Sequence, residues 1–519
     1  MRGVVGNHVV ILLINNSATA NHVSYFKRLS RFDMSIPFWV TAVAIAGWSA
    51  AAAWINPAQF ADNLEQFSWS HSLELGYWKH PPLPTWLIAI PIRLFGFSVF
   101  WTYALAAICF IGTVFFTWRI TRRLLGDQAA TFAALLMGLH IGFSWRAQLY
   151  NHNTVLLLFS AAAVWATLRA LDDSSKKLSW MSWICAGILA GLAMLSKYQA
   201  IVPLVGIVIA LYAGGWLKQR AVVQGLAIAS ATAFVVFLPH LVWIVMGSGS
   251  TINNAFHSAE SLGFSRRLTV FMGFWLIQIR FHFPLLVAVS LLVLFKTEPA
   301  VERPADEKQQ PHARAWFLGL VVWPALFVSL AVLLGGMRLE AQWGLQTFQF
   351  VVIFVAWKLA VVLPKNGLQR TVWLILLMQA VLAGFFAWSV VQPGQQVWQG
   401  QRSRNFPATD VAKEISSKWH EATSCPLKYV VGPSFEAAVV SAYSGDNPTV
   451  LEDGDFKKSP WVSSKQLKEF GALYLANDAT QLPLGLATTG QMTIPARVND
   501  FQPIKQLFWG IALPQSNCN

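Results

Sequence analysis

The sequence predicts a polytopic α-helical membrane protein with a small α/β domain at its C-terminal end, and three observations predict it. Hydrophobic residues make up 55% of the 519 and charged residues 12%, about half the charged share of a soluble domain. Mean hydropathy is +0.48, and several apolar runs are long enough to cross a hydrocarbon core of about 30 Å. Beyond residue 391 the character changes: 11 basic and 11 acidic residues alternate with turns rich in Pro, Gly, Asn and Asp. Lipid demands that every backbone polar group be satisfied internally, so the long apolar runs are expected to be helices.

Residues 1–35 read as a cytoplasmic tail. The apolar run Val9 to Ile14 is too short to span, and no small-residue cleavage site follows it, so no signal peptide is predicted. Lys27, Arg28 and Arg31 precede the first good span, Ile36 to Ile55. The positive-inside rule then places residues 56–97 outside. Leu83 to Phe95 is apolar but carries Pro84, Pro91 and Arg93, and it reads as an interfacial or re-entrant helix. Further spans are expected at 97–118, 128–144, 154–168, 179–196, 199–216, 221–245, 268–295, 316–335, 346–363 and 371–391. Between them lie a turn at Ser196-Lys197-Tyr198, an outer segment 246–267, a charged proline-rich cytoplasmic loop 296–314 and an outer loop 336–344.

This layout gives about eleven to thirteen spans and an outer C-terminus. It puts 19 Lys and Arg on the cytoplasmic side against seven outside before residue 392, the bias that the rule requires. Within 392–519, Leu427 to Val431 and Ala472 to Ala476 read as strands, and Asp410 to Trp419 and Phe435 to Ala442 as helices. The net charge of +14 belongs to the membrane part, since the tail domain is balanced. Much of it is topology, and no nucleic-acid partner follows from it. Arg280 and His282 fall inside the span 268–295, and a charge there is expected to face a cavity or partner rather than lipid.

Cys109 and Cys185 lie in spans as packing residues. Cys425 and Cys518 lie in the outer domain, where an oxidising compartment permits a disulfide. The chain has no CxxC or HExxH spacing and no glycine-rich phosphate loop. Nucleotide-driven chemistry is therefore unsupported, and no metal ligand set is assigned.

The stretch Asp62 to Trp86, DNLEQFSWSHSLELGYWKHPPLPTW, concentrates polar chemistry. It packs Asp62, Glu65, Glu74, Lys79 and His80 between two apolar segments. Pro81-Pro82 fixes φ twice and removes two donors, giving a rigid exit. Trp69, Tyr77, Trp78 and Trp86 suit a membrane–water boundary. Before the tail domain, only Asp62, Glu65, Glu74, Glu260 and Glu340 are acidic on the outer side, where Lys79, His80, His152, Lys197, His257, Arg266, Arg267 and Arg338 also lie. A carboxylate beside cations at the rim of a membrane cavity could activate a hydroxyl while the cations stabilise a departing phosphate. A leaving group reachable from the bilayer is a lipid phosphate.

These residues carry a resemblance. Asp62-Asn63, Trp69-Ser70, Gly76-Tyr77 and His80-Pro81-Pro82-Leu83 with Trp86 resemble the first outer loop of the family 39 glycosyltransferases. That group has the GT-C fold and includes protein O-mannosyltransferases, lipid A aminoarabinose transferases and lipopolysaccharide galacturonosyltransferases. Leu195-Ser196-Lys197-Tyr198 is similar to the group's mid-chain turn, and Glu340 shortly before Trp343 to a charged position ahead of a tryptophan. The resemblance covers residues 36–391. It implies a GT-C-like enzyme in the bacterial inner membrane, with its active site facing the periplasm. It implies a polyprenyl-phosphate sugar donor and a lipid-linked, glycan or protein acceptor. Asp62 would be the catalytic carboxylate. Lys79, His80, Lys197, Tyr198, Arg338, Glu340 and Asn63 would line the donor-phosphate and substrate site. A divalent metal is compatible with this chemistry but not demanded, because cationic side chains could neutralise the phosphate.

Two positions depart from the group's pattern. The usual Asp-Glu pair is Asp62-Asn63 here, and a second acidic position appears as His152-Asn153. Plainer roles compete at each residue: Asp62 as a helix cap, Lys197 as a snorkelling cation, Arg338 and Glu340 as a pair. A transporter or lipid flippase would equally explain the many spans. It predicts paired repeats and broken helices, and no convincing repeat is present.

Overall fold

The computed structural model describes residues 36–173, 179–246, 263–294, 310–337, 340, 343–362, 367–391, 406–494 and 505–516. The expected tail 1–35, most of the segments 246–267 and 296–314, Arg338 and Cys518 lie outside the described residues.

The membrane part opens with α1 (Ile36–Ile55), followed by a short amphipathic α2 (Ala61–Ser70) and α3 (Leu83–Phe95). Then come α4 (Phe100–Leu125), α5 (Asp127–Met137), α6 (His152–Asp173), α7 (Ser179–Ser196), α8 (Ile201–Ala213), α9 (Arg220–Met246) and α10 (Phe264–Leu294). α11 (Gln310–Phe317) continues through a π turn (Leu318–Val322) into α12 (Trp323–Leu333). α13 (Trp343–Thr347), α14 (Val351–Val362) and α15 (Gly367–Val391) complete it. Among the described residues seven helices are long and apolar enough to cross a membrane, and four shorter apolar ones accompany them. This is a multi-pass membrane protein. α6 is its central helix: 72% of its apolar window is buried, against 17% for α9 and α15 at the periphery.

Small residues set the close packing, as expected where lipid gives helices no hydrophobic drive to associate. At the π turn Gly319 lies directly on the backbone of Gly206 in α8, and a Cβ at either would collide with the other's carbonyl.

The expected continuous span 128–144 is not one helix. α5 stops at Met137, and two short 3₁₀ turns follow, Ile141–Phe143 and Trp145–Gln148. Gly138 and Gly142 weaken helix continuation, and His140 Nδ1 accepts the Gly142 N–H at 2.9 Å, capping the first turn instead. Arg280 is exposed on α10. His282, about 200° further round the helix, points inward and packs edge-on against His140 with ring centroids 4.4 Å apart.

The C-terminal part consists of α16 (Ala408–Ala422), β1 (Tyr429–Gly432), α17 (Ser434–Tyr443), β2 (Thr449–Glu452), α18 (Ser464–Phe470), β3 (Ala472–Ala476), β4 (Thr488–Ile494) and β5 (Lys505–Ala512). The sheet order is β2-β1-β3-β5-β4. β1 pairs in parallel with β2 (Val430 beside Val450) and β3 (Val430 beside Leu473), and β5 runs antiparallel to β3 and β4. Ser463 and Gln466 form a reciprocal capping box on α18. Cys425 is disulfide-bonded, whereas Cys109 and Cys185 are free. Leu64 and Phe67 of α2 belong to the same buried cluster as Val439 and Val440 of α17, so the first loop and the sheet domain share a core.

Candidate active site

The first loop is rigid for local reasons. From Asn63 to Ser70 every residue of α2 but Glu65 is buried, and Asp62 stays half-buried at its first turn, where the helix dipole favours a carboxylate. Tyr77 and His80 exchange backbone hydrogen bonds of 3.0 and 3.2 Å, closing a tight turn with Trp78 and Lys79 at its tip. Trp69 and Tyr77 stack with centroids 4.7 Å apart and planes 6° from parallel. The Tyr77 hydroxyl donates to the Ser72 carbonyl, and Trp86 Nε1 to that of Glu74. Gly76 must be glycine, because a Cβ there would sit 2.5 Å from Trp243 and 2.8 Å from His240.

Two functional side chains meet on one short segment. Asn151 Nδ2 donates to Asp62 Oδ2 at 2.7 Å. Asn151 Oδ1 in turn accepts the N–H groups of Asn153 and Thr154 at 2.9 and 3.1 Å, capping α6. Two residues on, Asn153 Oδ1 accepts from Lys197 Nζ at 2.6 Å. Lys197 is buried, and its ammonium also lies over the Trp343 ring at 5.1 Å. Burial pushes it down to about 8, while Asp62 and Glu340 pull the other way. Arg146, on the second 3₁₀ turn, is held below its ordinary range by burial, with Asp62 as its opposing charge. It stays charged regardless, as arginine does in proteins, and its guanidinium lies 5.6 Å from the centre of the Phe281 ring.

A second cluster lies alongside. Glu65 forms an ion pair with Lys79, whose ammonium also faces the rings of Trp69 and Trp78 at 5.8 and 5.1 Å. Burial pushes the Glu65 carboxyl up to about 8 against the pull of Lys79. The His80 and His152 rings lie against each other with centroids 4.0 Å apart and planes tilted by 35°. Burial first, then His152, Lys197 and Lys79, hold the His80 imidazole well below its usual range. It is therefore neutral and offers a hydrogen bond rather than a charge.

A narrow crevice opens beside these groups, lined on its polar side by Arg146, Asn151 and Asn153 and on its apolar side by Phe110, Phe281 and Leu345. His140 and Leu345 also border a small, mostly apolar cavity walled by Leu285, Phe348 and Val352. The crevice is thus polar at one end, and its other end shares the His140–Leu345 wall with the more apolar cavity.

The structure brings together Asp62, Lys79, His80 and Lys197. Glu340 is exposed, acts on Lys197 electrostatically, and supplies the carbonyl that accepts the Trp343 N–H. Asn63 is fully buried, donating to the Gln148 carbonyl and accepting from the Tyr150 N–H. The Tyr198 hydroxyl pairs with His240 Nε2 at 2.8 Å, and His240 Nδ1 with the Leu75 carbonyl. Arg338 is outside the described residues. Sequence reasoning passed over Asn151 and Arg146. The one available signal was that Arg146 is the lone cation between two apolar runs on the outer side. It also missed Glu452, which binds both loop indoles.

Comparison with known proteins agrees with the motifs. The family described as dolichyl-phosphate-mannose-protein mannosyltransferase matches residues 79–243. The lipid A galacturonosyltransferase RgtD of Rhizobium johnstonii is 23% identical over 310 residues, 59% of this chain and 62% of its own length. The lipopolysaccharide core galacturonosyltransferase RgtA of the same organism is 28% identical over 39% of each chain. An undecaprenyl phosphate-α-4-amino-4-deoxy-L-arabinose arabinosyl transferase of Pseudomonas aeruginosa is 28% identical over 33% of this chain and 31% of its own. The chain therefore spans less than two thirds of the length of these relatives. In fold it is similar to ArnT from Cupriavidus metallidurans, solved bound to undecaprenyl phosphate, with a TM-score of 0.53 and 14% identity over 93% of this chain and 99% of that one. The resemblance read from Asp62, His80-Pro81-Pro82 and Lys197 stands: the chain is similar to GT-C membrane glycosyltransferases.

Proposed function

We propose that the protein is a membrane glycosyltransferase that passes a sugar from a polyprenyl-phosphate donor to an acceptor hydroxyl on lipopolysaccharide or lipid A, another glycan or a protein. One observation carries this: Asp62 and Lys197 are tied to neighbouring residues, Asn151 and Asn153, at the rim of a crevice that is cationic at Arg146 and apolar beyond Leu345. That is the shape of a lipid phosphate. The similarity to RgtD, RgtA and the arabinosyl transferase supports the sugar-transfer half of the proposal.

In the step envisaged, the acceptor hydroxyl gives its proton to the Asp62 carboxylate as its oxygen bonds to the anomeric carbon. The bond from that carbon to the phosphate oxygen breaks with inversion. The electron pair stays on the phosphate, where Lys197 and Arg146 meet the growing negative charge and the neutral His80 donates a hydrogen bond. Residues 36–391 would form the membrane-embedded catalytic domain, with about eleven to thirteen spans. Residues 1–35 would be cytoplasmic and 392–519 a periplasmic domain, in the bacterial inner membrane. The test is transfer from a labelled polyprenyl-phosphate sugar to lipopolysaccharide by wild type and Asp62→Asn. Loss of about 10²–10⁴-fold is expected for removal of a general base. Equal rates would remove Asp62 from the chemistry, and donor-independent lipid flux in vesicles would favour a transporter.

A further inference from the structure

We propose that Glu65, His80 and His152 form a binding site for a divalent transition metal of the zinc type. One ligand atom from each lies within 4.8 Å of the others. The three residues come from different elements: α2, the tight turn before the double proline, and the first position of α6. In a tetrahedral site with bonds of about 2.0–2.1 Å, ligand atoms sit about 3.4 Å apart.

A second observation points at a ligand. His152 is 3% exposed, and its Nε2 has no hydrogen-bond partner. Nε2 is thus a buried ring nitrogen left without a partner, on one of the three residues of the cluster. Leaving such a group unpaired is costly, and metal-binding histidines keep one ring nitrogen for the ion while the protein holds the other.

The donor set names the ion class. Two imidazole nitrogens and one carboxylate suit Zn²⁺, with a fourth position left open for an oxygen ligand. Mg²⁺ and Ca²⁺ prefer all-oxygen shells. Lys79 now pairs with Glu65 and would give way to the ion. It keeps alternative partners in the faces of Trp69 and Trp78 and in the nearby charge of Glu452. Trp69, 6.4 Å from the His80 ring and 5.9 Å from that of His152, walls one side of the site.

The test is metal binding by the full chain in detergent, purified without a polyhistidine tag and stripped with a chelator. Co²⁺ is titrated while its visible ligand-field absorption is followed, and Zn²⁺ is then used to displace it. One ion per chain with an intense four-coordinate band is expected, displaced by Zn²⁺ and untouched by Mg²⁺. Outer-shell changes alone cost about 10–100-fold in metal affinity, so His152→Gln and His80→Gln should each weaken binding by at least about 100-fold. The exposed His420→Gln serves as a control and should leave the band unchanged. Absence of saturable Co²⁺ binding by the wild type overturns the proposal. So does an unchanged affinity in both histidine variants. Wild-type binding is read first, so a variant that fails to fold leaves the test intact. Metal binding and sugar transfer are measured separately, and either can fail without the other.

Discussion

Glu452, the last residue of β2, accepts a hydrogen bond from Trp78 Nε1 at 2.8 Å, and its other carboxylate oxygen accepts one from Trp69 Nε1 at 3.1 Å. The carboxylate is 2% exposed. The sheet domain thus reaches into the first loop and grips the two indoles that flank Lys79. His71 and the Asn447 carbonyl at 3.0 Å, and the Gln59 N–H and Tyr443 hydroxyl at 3.1 Å, extend the same seam. This contact ties the position of Lys79 and His80 to a domain more than 300 residues away in sequence.

Glu452→Ala strands two largely buried N–H donors, at about 1–3 kcal/mol each. A lower unfolding temperature is expected. A tenfold to hundredfold loss of sugar transfer should accompany it, since small misplacements of a site cost rates of about that size. Thermal unfolding and initial rates check both. An unchanged rate would reduce the sheet domain to a passive attachment.

Asn151 does two jobs. Asn151→Asp keeps an oxygen to cap α6 but loses the N–H that Asp62 accepts, and it sets a second carboxylate against the first. The buried like-charge repulsion should lower its stability despite the retained cap, and transfer should collapse. Asn151→Ala should lose both the cap, worth about 0.5–2 kcal/mol, and transfer. Paired unfolding and rate measurements check both.

Lys197 titrates at about 8, below its ordinary 10.5, because it is buried; Asp62 and Glu340 are the charges that face it. It is charged below that value, and donor binding should weaken as pH rises through about 8. Folding responds in the opposite sense: the depressed value means that the Lys197 contribution to stability improves between about 8 and 10.5. Lys197→Arg should flatten the alkaline fall in donor affinity, because arginine keeps its charge. Donor Kd measured between pH 6 and pH 10, over the range about Lys197's own value, is the check.

Arg146 lies in the polar wall of the crevice. Arg146→Gln should raise the KM for donor about tenfold to hundredfold, the worth of one charged hydrogen bond. The change in kcat should be smaller. Unchanged KM would place the donor phosphate elsewhere.

Much of the membrane architecture was legible because lipid leaves the chain few options. The first span, the turn at Lys197 and strand β3 coincide with the apolar runs and their interruptions. The acidic first loop was legible through Asp62, His80 and the double proline. Asn63 was not, because one residue along a helix turns the side chain about 100° away, from the site rim into the seam with Gln148 and Tyr150. Tyr198 likewise follows Lys197 in sequence but bonds His240. The break after Met137 was hidden because Gly138 and Gly142 sit inside an otherwise apolar run. Glu452 pairs with Trp78 across 374 residues, and such a contact leaves no local periodicity to read.

The most direct test of the central claim compares donor binding with single-turnover transfer in Asp62→Asn. If Asp62 takes the acceptor proton while Lys197 and Arg146 hold the donor phosphate, the variant should bind the labelled polyprenyl-phosphate sugar with wild-type affinity and fail to transfer it. Transfer at the wild-type rate, or loss of donor binding with residual transfer intact at saturation, would contradict that division of labour.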